Sequence, residues 1–207
     1  MSETTTTELG KIRLGEKVVI SDPCYELGCH CAIIRKDFMP GGYTVFARKS
    51  DEGDWGNRVS RLMAFHDDYA HRFSVHDDDV DALVDGTPCG ISVEHGEIGV
   101  DAGCAGIYDY EYFAENQPDN DYYDHDSWFY RVTSLTNLEN GRGGVMDGLC
   151  GITESGYGDG GYDVTFFIDD RKKQVVGVSI DFGVEDEEEE YYDDDYEDEE
   201  DEKEGDW

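Results

Sequence analysis

The stretch YDVTFFIDDRKKQVVGVSIDF, residues 162–182, decides how the rest of the chain is read. Its two halves, YDVTFFID and QVVGVSIDF, are rich in β-branched and aromatic residues, and DRKKQ (170–174) joins them. Such side chains lose freedom in a helix but pack well on a pleated surface, so both halves read as strands. In the second, Val176, Val178, Ile180 and Phe182 point one way and Val175, Gly177, Ser179 and Asp181 the other. That is the two-residue period of a strand with one apolar face.

Just upstream lies SGYGDGGY (155–162), in which Gly156, Gly158 and Gly161 fit the spacing G-x-G-x-x-G. A dinucleotide fingerprint needs a helix after the glycines, because the helix N-terminus holds the pyrophosphate. Here a strand follows. A kinase-type glycine loop does lie between strands, but only forty-six residues follow Gly161, too few for the rest of that fold. We therefore expect a turn.

Further out the pattern continues. KVVI (17–20) is a short β-branched run that stops at Asp22-Pro23, GYTVFAR (42–48) alternates with Tyr43, Val45 and Ala47 on one face, and VSRLMAF (59–65) alternates more weakly. GISVEHGEIGVDAG (90–103) reads as two strands around a tight turn at His95-Gly96. Helical signals are confined to two places. DSWFYRVTSLTNLENG (126–141) offers Asp126 or Ser127 as N-cap, apolar Phe129, Val132 and Leu135, and Gly141 as a stop. HDDDVDALVDG (76–86) offers a short helix begun by its own aspartates. The expected fold class is α+β: mainly antiparallel β with one or two short helices, as a single domain over residues 11–184. A Thr-rich, loose start (1–10) precedes it and a disordered acidic tail (185–207) follows.

Charge is the strongest compositional signal. The 207 residues carry 51 acids and 16 bases, a formal net of −35. EDEEEEYYDDDYEDEEDEKEGDW (185–207) holds seventeen of the acids and one lysine, yet the rest of the chain is still strongly negative. Such a molecule repels polyphosphates, which need Lys and Arg to neutralise them, so nucleic acid is not an expected partner. A basic protein surface is, and weak binding of divalent cations follows from the charge alone. No apolar run reaches the ~20 residues that span a bilayer, and MSETTTTELGK lacks the pattern of a signal peptide. A cytoplasmic protein without membrane contact is expected, with Cys24, Cys29, Cys31, Cys89, Cys104 and Cys150 as thiols.

Taken together, ISDPCY (20–25), GVDAGCAGIYD (99–109), WFYRVTSLT (128–136), SGYGDGGY and VVGVSIDF (175–182) resemble an uncharacterised family of bacteria and tailed phages, a domain of unknown function. The resemblance implies a compact, mostly β domain of phage or bacterial origin and carries no catalytic role with it. It makes the 101–109 segment the first choice for a pocket wall.

The chemistry-bearing residues are few. Cys24 is a candidate nucleophile if a histidine such as His95 activates it and Asp101 orients that histidine; against this stands a turn in which Asp22 caps backbone amides. Cys24, Cys29, His30 and Cys31 include zinc-ligand types, but Cys29 and Cys31 would share a strand face with His30 pointing away, and Cys89, Cys104 and Cys150 stand apart in sequence. No metal site and no cofactor are expected. The aspartate runs 76–81 and 119–124 lack calcium-loop spacing. Asp22, Asp101, Asp109 and Asp159 are the candidate ligand-binding carboxylates. Tyr191, Tyr192, Tyr196 and Trp207, interleaved with tail carboxylates, are candidates for contact with a basic protein. The expected function is a non-enzymatic, phage-encoded interaction protein whose acidic tail engages a basic protein surface, with imitation of a nucleic-acid backbone as one way of doing so. The alternatives are a small-molecule-binding or hydrolytic domain near Cys24, Asp101 and Asp159, and a minor virion component.

Overall fold

A computed structural model of the chain describes residues 4–75, 87–116, 124–137 and 141–184. The expected helix at 76–86 and the acidic tail lie outside these residues. Eleven strands form two antiparallel sheets: β1 (Thr4–Leu14), β2 (Val18–Ser21), β3 (Ala32–Arg35), β4 (Gly41–Asp51), β5 (Asn57–His66), β6 (Ile91–Val100), β7 (Cys104–Asp109), β8 (Gly143–Met146), β9 (Cys150–Glu154), β10 (Gly160–Asp169) and β11 (Gln174–Asp181). One sheet has the order β1-β4-β5-β11-β10-β6, the other β3-β2-β7-β9-β8. Among the described residues there are two α-helices, α1 (Tyr110–Glu115) and α2 (Trp128–Thr136). The described residues thus adopt the mainly antiparallel β class, with two short helices among them.

Alternation explains the layers. Val18 and Ile20 of β2 and Ala105 and Ile107 of β7 face the other sheet, where they meet Tyr43, Val45 and Ala47 of β4, Val164 and Phe166 of β10, and Val178 and Ile180 of β11. The opposite faces are also covered. Val19, Cys104, Tyr108, Cys150 and Ile152 pack under Phe113 of α1 and Trp128 and Val132 of α2. On the larger sheet, Phe46, Met63, Phe65 and Phe167 pack under Tyr69, Phe73 and Val75 of the segment after β5, with the Phe65 and Phe73 rings stacked at 4.2 Å.

Four expectations change. Residues 91–100 are one strand, not a hairpin: β6 pairs with β10 in unbroken register from Gly160↔Val100 to Asp169↔Ile91. Gly96 serves packing instead of a turn, since a Cβ there would stand 2.9 Å from Ile33 Cδ1. β11 is buried on both faces from Val175 to Ile180, because it is a central strand whose outer side is covered. A bulge opposite Phe167 and Ile168 puts Val175 with Val178 and Ile180 in the inter-sheet core and sends Val176 to the outer cluster. The Thr-rich start is an edge strand from Thr4 onward, paired with β4. Finally, α2 ends at Thr136, where Asn137 turns extended (φ −74°, ψ 163°), well before Gly141.

Candidate functional site

The SDPC corner follows β2 and is built around one carboxylate. Asp22 is fully buried. Its Oδ1 accepts the Cys24 N–H at 2.9 Å, and its Oδ2 accepts those of Asp101 at 2.9 Å and Ala102 at 2.8 Å. One side chain thus satisfies the amides of two turns that are about eighty residues apart in sequence. Burial raises the Asp22 pKa, and the three N–H groups pull against that rise. The turn is fixed from the helical side as well, because Trp128 Nε1–H of α2 donates to the Pro23 carbonyl at 2.7 Å.

Three expected site residues meet here: Asp22, Cys24 and Asp101. The Cys24 and Cys104 thiols share a hydrogen bond, which with burial holds the Cys104 thiol well above its usual pKa. The carboxylate and the two sulfurs lie within 4.8 Å of one another. Asp101 accepts a hydrogen bond from the Tyr25 hydroxyl, which pushes that phenol up to about 12. Nearby, His30 Nε2 sits 3.5 Å from Cys31 Sγ, so the ring folds onto its neighbour and does not point away. Burial first, then the adjacent Cys29, raise the Cys31 thiol to about 12.

The expected catalytic trio does not assemble. His95 lies on β6 with its ring Nδ1 against Thr165 Oγ1 at 3.3 Å, and Asp101 is engaged by Tyr25, so neither activates Cys24. Cys24 thus lacks the activating imidazole that the trio required. Asp109 also has a structural post. Its Oδ1 caps α1 through the Glu111 and Tyr112 amides (3.1 and 3.3 Å), and its Oδ2 accepts the Gly15 N–H at 2.9 Å.

Asp159 belongs to a different place. The glycine-rich segment is a turn feeding β10, closed by Ser155 Oγ–H on the Gly158 carbonyl (2.7 Å) and by the Tyr162 hydroxyl, which donates to the carbonyls of Ser155 and Gly158. Gly156 takes φ 60°, and a Cβ there would meet Val184 Cγ2 at 2.6 Å. A strand, β10, follows this turn where a phosphate-binding loop would open a helix. The turn instead edges a cleft of about 440 Å³ lined by Tyr157, Asp159, Gly160, Gly161, Tyr162, Asp163, Asp181, Phe182 and Gly183. Asp181 pairs with Arg61. Asp159 and Asp163 are exposed and make no hydrogen bond or ion pair among the described residues, and Asp163 stands directly opposite Glu97 across the β10–β6 ladder. The chain reaches Val184, the threshold of the acidic tail, beside this cleft.

Sequence reasoning missed the partnership of Cys104 with Cys24 and the acidic setting of Asp159. Neither has a local signal, because each arises where turns from distant strands meet. Tyr191, Tyr192, Tyr196 and Trp207 lie outside the described residues. Among the described residues no helix is long and apolar enough to cross a membrane. Comparison with protein-family models, curated proteins and solved structures finds no match to this chain.

Proposed function

We propose that the chain is a non-enzymatic interaction protein that engages a basic protein surface through an anionic strip running from the Asp159 cleft into the 185–207 tail. The observation that carries this reading is the cleft itself. Carboxylates of Asp159, Asp163 and Asp181 line it, Tyr157 is exposed beside it, and Phe182 and Gly183, just before the tail, form part of its wall. Like charges directly opposite in a ladder, as at Asp163 and Glu97, destabilise a sheet unless a cation sits between them. A lysine or arginine side chain entering the cleft would meet the carboxylates beside the Tyr157 ring, over which Arg58 lies at 5.8 Å and whose hydroxyl donates to Glu52. The tail then extends the contact by long-range attraction, with Tyr191, Tyr192, Tyr196 and Trp207 offering stacking area. The density of carboxylates along the tail supports imitation of a nucleic-acid backbone, and a phage or bacterial origin belongs to this reading as what the motif resemblance implies.

The test is binding to a panel of basic DNA-binding proteins across a salt series, with the full chain, a chain ending at Val184, and a variant carrying Asp159→Asn and Asp163→Asn. We expect affinity that falls steeply with salt, falls further without the tail, and weakens in the double variant. Salt-insensitive binding, or none by the full chain, sinks the reading. So does tight association with duplex DNA.

A further inference from the structure

We propose that the SDPC corner is a Zn²⁺ site, held by the Cys24 and Cys104 sulfurs and the Asp22 carboxylate. Among the described residues this is the group of ligating side chains that converges, its donor atoms all within 4.8 Å of one another. Tetrahedral zinc takes thiolates at about 2.3 Å and carboxylate oxygens at about 2.0–2.2 Å, which places donors roughly 3.5–3.8 Å apart. Closing the corner onto an ion therefore asks for a contraction of about 1.3 Å at most. Cys24 can supply it, being half-buried on a turn, whereas Asp22 and Cys104 are buried and held by β2 and β7.

The carboxylate is prepared for the role. A carboxylate offers about four lone-pair positions. The Asp101 and Ala102 amides use both on Oδ2, and the Cys24 amide uses one on Oδ1. The position left lies on Oδ1, and the three amides orient it as the outer hydrogen bonds of metal sites do.

A second observation comes from Tyr108. Its hydroxyl is fully buried and has no hydrogen-bond partner among the described residues. Cys104, Gly106 and Tyr108 share one face of β7, and the Tyr108 ring folds back over Gly106, its oxygen only 2.4 Å from where a Gly106 Cβ would stand. That direction runs toward Cys104 along the shared face of β7, while Cys150 stands opposite Tyr108 in the β7–β9 ladder. A neutral thiol is a weak acceptor, while a metal-bound thiolate is a strong one. One ion would thus use three converging donors and give an orphaned O–H its acceptor. Two sulfurs select a soft cation over Ca²⁺ or Mg²⁺, which want an oxygen shell. As each Zn–S bond forms, the thiol releases its proton to solvent, and nothing is oxidised or reduced. Water completes the shell on the exposed side of Cys24. The site would staple the 22–31 loop to β7, and it stands apart from the basic-partner reading.

The experiment uses the full chain, reduced and stripped with chelator, then titrated with Co²⁺ and back-titrated with Zn²⁺. We expect one thiolate-coordinated Co²⁺ per chain, seen as a sulfur-to-cobalt charge-transfer band, displaced by one equivalent of Zn²⁺. Cys24→Ser, a half-buried change, should lower Zn²⁺ affinity by at least about tenfold, and Tyr108→Phe by about tenfold. Cys29→Ser should leave it unchanged. Co²⁺ uptake without the charge-transfer band would mean carboxylates alone bind and would overturn the site. A band that survives Cys24→Ser, a band lost in Cys29→Ser, or no uptake by the reduced chain would overturn it equally.

Discussion

Asp22 and Asp159 sit at turns that touch, since the Ser155 N–H donates to the Gly103 carbonyl at 3.1 Å and Gly103 follows the two amides bound to Asp22. Yet Asp22 is sealed inside with three amides on its oxygens, while Asp159 stands in water with no hydrogen bond or ion pair among the described residues. The difference teaches that a carboxylate's work is set by what lacks a partner around it. Two turns, one after β2 and one after β6, leave amides that no strand can satisfy, and Asp22 is drawn in to accept them. The glycine turn satisfies itself through Ser155 and Tyr162, so its aspartate remains available for a cation.

The sharpest way to break this contrast is substitution at both positions. Asp22→Ala should cost about 3–5 kcal/mol in urea unfolding, because it strands three amides at once, whereas Asp159→Ala should stay within about 0.5 kcal/mol. Equal effects would dissolve the distinction. Next in size is Gly106→Ala, whose new methyl would stand 2.4 Å from the Tyr108 oxygen. Overpacking of this kind should cost about 1–3 kcal/mol, read as a lowered unfolding midpoint with unchanged slope.

A smaller effect appears with pH at another closed turn. The Asp169 carboxyl is held below its usual range, chiefly by the Lys172 N–H, with the Tyr69 hydroxyl and the Arg171 N–H. A depressed folded pKa means its stabilisation is full above the unfolded value of about 3.9 and is lost as pH falls through the folded value. The stability gap between wild type and Asp169→Asn should therefore be wider at pH 7 than at pH 3, and an unchanged gap would refute the cap. Smallest is Asp163→Thr in the open cleft. Removing the like charge opposite Glu97 should stabilise by roughly 0.2–0.5 kcal/mol while weakening any cationic partner, measurable by unfolding and by salt-dependent binding.

Legibility followed locality. The strands at 17–20, 42–48, 59–65 and 162–182 were readable because their own side chains alternate or are β-branched. The cap of α2 was readable as Asp126 or Ser127 for the same reason, and Ser127 takes the post, its Oγ accepting the Tyr130 N–H at 3.1 Å. Residues 90–103 misled because His95-Gly96 has the composition of a tight turn, while its glycine answers to Ile33 and Phe166 on other strands. GVDAGCAGIYD hid β7 because its small residues look like a bend, although Gly106 is small to admit the ring of Tyr108. Of the candidate site, Asp22 and Cys24 were visible as a turn. Cys104 was not, because no spacing in sequence links it to Cys24.

By itself, the sequence determined what depends on neighbours along the chain: antiparallel strands, a capped helix, a glycine turn and a surplus of negative charge. Tertiary structure alone decided which strands are central and buried on both faces, and which carboxylate is sealed and which left in water. It also brought Cys24 and Cys104 together. These follow from how two sheets stack and which turns they bring into contact, a long-range outcome of burying apolar faces that no local pattern encodes.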